Sequence, residues 1–225
     1  MSRIASRSTI LLCIVLLVWS AAVHASGLEK RSRIELRIGL WSQVGETQET
    51  TQVGLYGVET TAKSGGTLGA LTYAYWVQEN LAVNFTLALL AVEASSRVGP
   101  LGVSQHAVSV FPVLLGVRYY LPKSTFKTSF RPYLAAGIGP YIGFEAKNEV
   151  GLQVVQDSRT MTSFGGYLGG GLDIQLGRYL MVGANVGYNL MMDFSESLGG
   201  RDNYNGPEFG VGVSLLFGKG VQPRK

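Results

Sequence analysis

The chain has 225 residues, of which 46% are hydrophobic and only 15% charged, with a formal net charge of +4. Intrinsic disorder is excluded, because it needs low hydrophobicity with high charge. The one cysteine, Cys13, excludes a disulfide framework, a zinc–thiolate cluster and a thiol nucleophile from any form of the chain that loses its N-terminus.

Residues 1–25 have a basic start (Arg3, Arg7), an apolar run from Ile10 to Trp19, and small residues up to Ala25, the layout of a cleaved secretory signal peptide. The apolar run is too short for the roughly 20 residues of a spanning helix. Removing Arg3 and Arg7 from 19 basic residues leaves 17 against 15 acids, a net +2, which argues against a nucleic-acid partner. All 30 glycines follow residue 26, roughly twice the usual share of ~7%.

From Arg33 onward the apolar residues alternate with period two, the signature of half-buried strands. Eight segments emerge in chain order. Ile34, Leu36, Ile38 and Leu40 share one face of the first, opposite Arg33, Glu35, Arg37, Gly39 and Trp41. The second and third run from Leu71 to Val77 and from Leu81 to Leu89, and the fourth sets Phe111 to Tyr119 against Pro112, Gly116 and Arg118. Arg131 to Ile142 forms the fifth, Phe164 to Leu176 the sixth, Leu180 to Leu190 the seventh and Glu208 to Phe217 the eighth.

The links after segments two, four and six are short, whereas those after one, three, five and seven (42–66, 92–106, 145–162 and 191–207) are long and polar. An even number of strands of about 9 to 11 residues, with short turns at one end and long loops at the other, predicts an all-β, eight-stranded antiparallel up-and-down transmembrane β-barrel. Outward-facing rings sort to the two ends: Tyr73, Tyr75, Tyr119 and Phe217 near the short turns, Phe144, Phe164, Tyr188 and Phe209 near the long loops. Two aromatic girdles are what a barrel in a bilayer requires. The long loops hold ten acids and five bases while the turn end is basic, so the short turns and both termini are expected in the periplasm and the loops outside.

Phe111-Pro-Val-Leu-Leu-Gly-Val-Arg-Tyr-Tyr-Leu121 followed by Arg131-Pro-Tyr-Leu-Ala-Ala-Gly-Ile-Gly139 resembles the adjoining fourth and fifth strands of the small outer-membrane barrels of Gram-negative bacteria. The likeness is to the OmpW group with its OmpX-like and OmpA-barrel-like relatives. Gly210-Val-Gly-Val-Ser-Leu-Leu-Phe217 looks like their C-terminal assembly signal, which implies the barrel-assembly machinery as a partner, alongside outer-membrane lipid and lipopolysaccharide. One departure is the tail from Gly218 to Lys225, since such barrels usually end at the terminal aromatic. The chain is therefore expected to divide into a leader (1–25), a barrel (26–217) and a short basic periplasmic tail (218–225).

An eight-stranded barrel is just wide enough for its own side chains or one small ligand. The inward charges Glu35, Arg37, Arg118, Arg131 and Asp173 fall in the turn-end half and predict a polar plug, because ions in a narrow lumen must pair. The loop-end half carries Trp41, Leu90, Tyr141 and Tyr167 among glycines, which predicts an apolar pocket. Resemblance to the OmpW group implies passage of small hydrophobic compounds. The expected function is a narrow conduit or pocket for such molecules, and the alternative is a structural or adhesive barrel with a filled lumen that acts through its loops.

No enzyme is expected. Past the leader, His106 is the lone histidine; Ser109 would point to the opposite face of an extended chain, and Ser104 lies two residues away at a loop edge. Gly165 to Gly171 lies within a strand and lacks the Lys-Ser/Thr of a phosphate loop. No metal site or cofactor is expected.

Overall fold

The computed structural model describes residues 28–42, 50–54, 57–62, 65–99, 102–122, 129–150 and 154–218. The described residues form ten strands: β1 (Ser32–Ser42), β2 (Thr50–Gly54), β3 (Gly57–Ala62), β4 (Gly65–Gln78), β5 (Leu81–Gly99), β6 (Gly102–Tyr120), β7 (Phe130–Val150), β8 (Val154–Leu176), β9 (Leu180–Met191) and β10 (Gly206–Phe217). Every pairing is antiparallel. Eight strands close in the order β1, β4, β5, β6, β7, β8, β9, β10, with β10 returning to β1 through a ladder from Ser32↔Phe217 to Trp41↔Glu208. These eight contain the eight predicted segments, and no helix occurs among the described residues. The leader and residues 219–225 of the tail lie outside the described residues.

Alternation dictates which face each residue takes, since successive side chains in a strand point to opposite sides. Leu40 is 66% exposed and its neighbour Trp41 only 2%. Leu36, Ile38, Leu134, Ile138 and Leu215 join Leu40 in an outward apolar band that would be untenable in water and is what a bilayer-facing wall needs. Rings bound that band at both ends: Tyr73 packs against Phe217 at the turn end (centroids 6.4 Å) and Phe111 against Phe144 at the loop end (5.2 Å, edge-on).

The strands outrun the sequence reading at the loop end. β5, β6, β7 and β8 have 19 to 23 residues, so the segments 92–106 and 145–162, read as loops, are mostly continuations of paired strand. Their ladders run to Gly99↔Gly102 and Val150↔Val154. The apolar alternation of the sequence stops there, but backbone pairing needs no apolar face and continues. A register shift between Ala91 and Glu93 in β5 marks this transition, and such a bulge bends and twists its strand. The first long segment folds into the β2–β3 hairpin, whose second strand adds to β5 from Val58↔Val98 to Ala62↔Ala94, beyond the point where β4 stops pairing at Thr67↔Ala91.

Candidate functional site: the barrel lumen

Four layers of side chains fill the lumen from the turn end upward. Leu28, Trp76, Tyr120, Tyr133, Met181 and Leu216 form an apolar floor. Leu28 is brought there because the chain before β1 keeps pairing with β4, through Lys30 N to Trp76 O (2.9 Å) and Trp76 N to Arg31 O (3.0 Å).

Above the floor lies a buried ionic cluster. Arg33, fully buried, donates to Asp173 Oδ2 (2.5 Å) and also to Glu35 Oε2. Arg118 reaches the same two carboxylates, Glu35 at 3.1 Å and Asp173 at 3.5 Å. Tyr120 donates its hydroxyl to Asp173 (2.8 Å), and the Arg118 guanidinium lies 4.3 Å from the centroid of the Tyr133 ring. The two arginines and two carboxylates come from β1, β6 and β8, so the cluster ties strands on opposite sides of the barrel. Leaving either charge alone there would cost several kcal/mol, on the order of 3–5. Arg131 is buried at this level, opposite Asp173 in the β7–β8 ladder.

The third layer is polar and centred on Glu208. Arg37 pairs with it at 3.3 Å, Asn185 donates to Oε1 (3.3 Å) and Asn189 to Oε2 (2.8 Å). Thr72 and Thr86 share a hydroxyl bond of 3.0 Å. A cavity of about 30 Å³ remains between Arg37, Asn84, Thr86, Arg118 and Glu208, enough for a water and no more than about two.

The fourth layer is apolar. Trp41, Leu68, Leu90, Val108, Val110, Leu114, Tyr141 and Met191 pack together, with Tyr167 and Met161 at the margin. Tyr141 donates to Asn189 Oδ1 (3.0 Å), which links this layer to the one below. The room left by Gly187 is taken by the Tyr167 ring: a Cβ on Gly187 would collide with it. Phe194, Leu198 and Tyr204, from the segment joining β9 to β10, complete the cluster from above.

Each residue singled out from the sequence thus has a place. Glu35, Arg118 and Asp173 meet in one cluster, Arg37 stands one layer up, Arg131 lies at the side, and Trp41, Leu90, Tyr141 and Tyr167 share one apolar layer. Sequence reasoning passed over Arg33, which shares the face of Glu35 and Arg37 and is the hub of the cluster. It also passed over Glu208, the sole carboxylate on the inward face of β10. The β9–β10 segment reads as polar, and its three inward apolar residues have no periodicity to betray them. Its carboxylates are engaged: Asp193 accepts from Asn203 and Asp202 from Ser197, each at 2.6 Å. Among the described residues no cluster of His, Cys, Asp or Glu could hold a metal. His106 pairs in β6 opposite Ser95, within a strand rather than at a loop edge, and the side chains of His106 and Ser104 lie outside the described ones.

A wider cavity, about 670 Å³, opens at the loop end of β1, β4, β9 and β10. Its lining mixes the two faces of the wall: Trp41, Gly187 and Glu208 from the lumen side, Leu40, Val186 and Phe209 from the lipid side.

A closed barrel with an apolar outer wall and a packed lumen is the architecture of an integral outer-membrane β-barrel. The family model of the outer membrane protein beta-barrel domain matches residues 11–217, and the chain belongs to that family. Its location is accordingly the outer membrane. Among solved structures, the attachment invasion locus protein Ail of Yersinia pestis, in complex with a heparin analogue, aligns with a TM-score of 0.50 at 14% identity, covering 84% of this chain and 99% of that one. OprG of Pseudomonas aeruginosa aligns at 0.45 and 14% identity (86% and 99% covered), and outer membrane protein W of E. coli at 0.39 and 19% (87% and 100%). A comparison with curated protein sequences finds no match.

Proposed function

We propose that this barrel offers a small hydrophobic compound an apolar pocket in its loop-end half, with exit sideways into the bilayer and no aqueous path through the lumen. The observation that carries this is the cavity of about 670 Å³, whose lining includes the lumen-side residue Trp41 together with the lipid-side Leu40, Val186 and Phe209. An apolar guest follows such a route without meeting the ionic cluster, and entering that cluster would break its pairs. The acidic long-loop segments and basic turn end support an orientation with the loops outside and the short turns and termini in the periplasm.

Energy transfer from tryptophan to a bound apolar fluorophore tests the pocket, because past the leader only Trp41 and Trp76 are available as donors. With prodan, a naphthalene bearing one ketone, saturable transfer is expected, weakened at least tenfold by Thr67→Phe, which fills the cavity from β4. Transfer that never saturates, or that ignores Thr67→Phe, overturns the reading. In planar bilayers the inserted barrel is expected to be electrically silent; discrete channels would show an aqueous path.

A second reading, an adhesive or structural barrel acting through its outer parts, is favoured by the β2–β3 hairpin. Among the described residues β2 pairs with β3 alone and leaves its other edge free, the kind of edge to which a partner strand adds. Loss of partner binding on removing residues 50–62, with prodan binding unchanged, would select this reading.

A further inference from the structure

The ionic cluster and the polar layer above it do not balance in charge. Arg33, Arg37, Arg118 and Arg131 are buried there against Glu35, Asp173 and Glu208. Adding the buried charged residues beyond these layers, Arg31 at the turn end and Glu145 at the loop end, leaves the same excess of one positive charge among the described residues. A charge buried without a counter-charge is costly, so the lumen is stabilised by one negative charge acquired from outside.

The hydrogen bonds are unbalanced at the same level and in the same sense. Arg37 and Arg118, with side chains 9% and 5% exposed, line the cavity of about 30 Å³ from β1 and β6. Nε of Arg37, and Nε and Nη1 of Arg118, are buried without a hydrogen-bond partner, Nη1 standing 3.5 Å from Asp173. Other polar groups of the cavity wall are engaged: the hydroxyls of Thr72 and Thr86 bond each other, and Glu208 accepts from Asn185 and Asn189 and pairs with Arg37. Asn84 gives Nδ2 to Thr86 (3.5 Å), and its Oδ1 is the one lining acceptor left without a bond. Guanidinium nitrogens can only donate, so three unmet donors against one unmet acceptor favour a ligand that accepts without donating, which water does not do.

From these two imbalances we infer that the cavity is a binding site for one small monovalent anion of the halide class, such as chloride, held between the guanidinium groups of Arg37 and Arg118. The ion supplies the missing charge and an acceptor for N–H groups that otherwise have none. Space for no more than about two waters admits a single halide and excludes a phosphate or a carboxylate. The site lies between the ionic cluster and the apolar layer, and it does not depend on the pocket reading above. The ion is taken up as the barrel folds and released when it unfolds.

An ion held only by the folded barrel raises its stability with concentration, which makes the site measurable. Urea unfolding of the protein refolded into neutral lipid vesicles is followed at constant ionic strength while sodium gluconate, whose anion is too large for the cavity, is replaced by sodium chloride. Once the site is filled, the unfolding equilibrium constant is expected to fall about tenfold for each tenfold rise in chloride, the slope of one ion per barrel. No dependence on chloride overturns the inference. Asn84→Asp localises the ion, because this nearly isosteric change puts a carboxylate at the cavity wall in the ion's place. In gluconate the variant is expected to have an unfolding equilibrium constant at least tenfold below the parent's, and the chloride slope is expected to vanish. A variant that keeps the slope places the ion elsewhere, and one that folds less stably than the parent in gluconate, or not at all, shows the buried charges already balanced; either result overturns the inference. Crystals grown with bromide are expected to show an anomalous peak within hydrogen-bond reach of Arg118, and a cavity holding water alone overturns it.

Discussion

The two halves of the lumen are built from the same strands yet obey different rules. In the turn-end half, Arg33, Glu35, Arg118 and Asp173 are each fixed by directional bonds to partners on other strands, and replacing any one leaves a charge stranded. In the loop-end half, Trp41, Leu68, Leu90 and Val110 meet Phe194, Leu198 and Tyr204 through contacts that any apolar surface of similar shape would satisfy. A directional network specifies one arrangement, whereas an apolar one specifies only a volume. The exchangeable guest proposed above therefore fits the second half, with the first as its closed base.

The largest break in that comparison should come from Asp173→Ala. Asp173 accepts from Arg33 and Tyr120 and faces Arg118, all buried, so its loss leaves two guanidinium groups competing for Glu35. A loss of about 3–5 kcal/mol is expected in urea unfolding from lipid vesicles, with a lower temperature for the unfolding shift on a detergent gel. A cost under about 1 kcal/mol would mean that water reaches the cluster and that the base is not closed. Leu90→Ala probes the other half. Fully buried, Leu90 should cost about 2–5 kcal/mol if the layer packs as a core, the exact value depending on how far it collapses. Leu90 does not line the proposed cavity, so prodan should bind this variant as it binds the parent; a change in affinity would tie this layer to the pocket.

How legible this was follows from the same physics. Alternation made the barrel readable, because a wall between lipid and lumen imposes opposite polarities on successive residues, and Leu40 beside Trp41 obeys it in full. Inward charges were readable for the same reason, though Arg33 at the start of β1 was overlooked while Glu35 and Arg37 on its face were found. Beyond the girdle the rule lapses. Glu93 to Gly99 and Gly102 to Val108 are paired strand without apolar alternation, so they read as loop. The β9–β10 segment was least legible: Phe194, Leu198 and Tyr204 converge through the Gly199–Gly200 turn and a hydroxyl bond, a three-dimensional arrangement with no one-dimensional period.

The smallest expected effect tests where one half gives way to the other. Thr72 and Thr86 stand directly opposite in the β4–β5 ladder, both buried, with their hydroxyls 3.0 Å apart beside the cavity of about 30 Å³. Valine is nearly isosteric with threonine, so Thr72→Val with Thr86→Val removes donor and acceptor together. Apart from a long bond that Thr86 accepts from Asn84 Nδ2 (3.5 Å), the two hydroxyls satisfy each other, so the double change should leave stability within about 0.5 kcal/mol, whereas Thr72→Val alone should cost about 1 kcal/mol by depriving Thr86 of its closer partner. Additivity of the two single changes is the outcome that would count against a closed pair. It would place an ordered water in the cavity, bonded to each hydroxyl independently, and move the boundary of the polar half up to the level of Ala88 and Leu114, which line the same cavity.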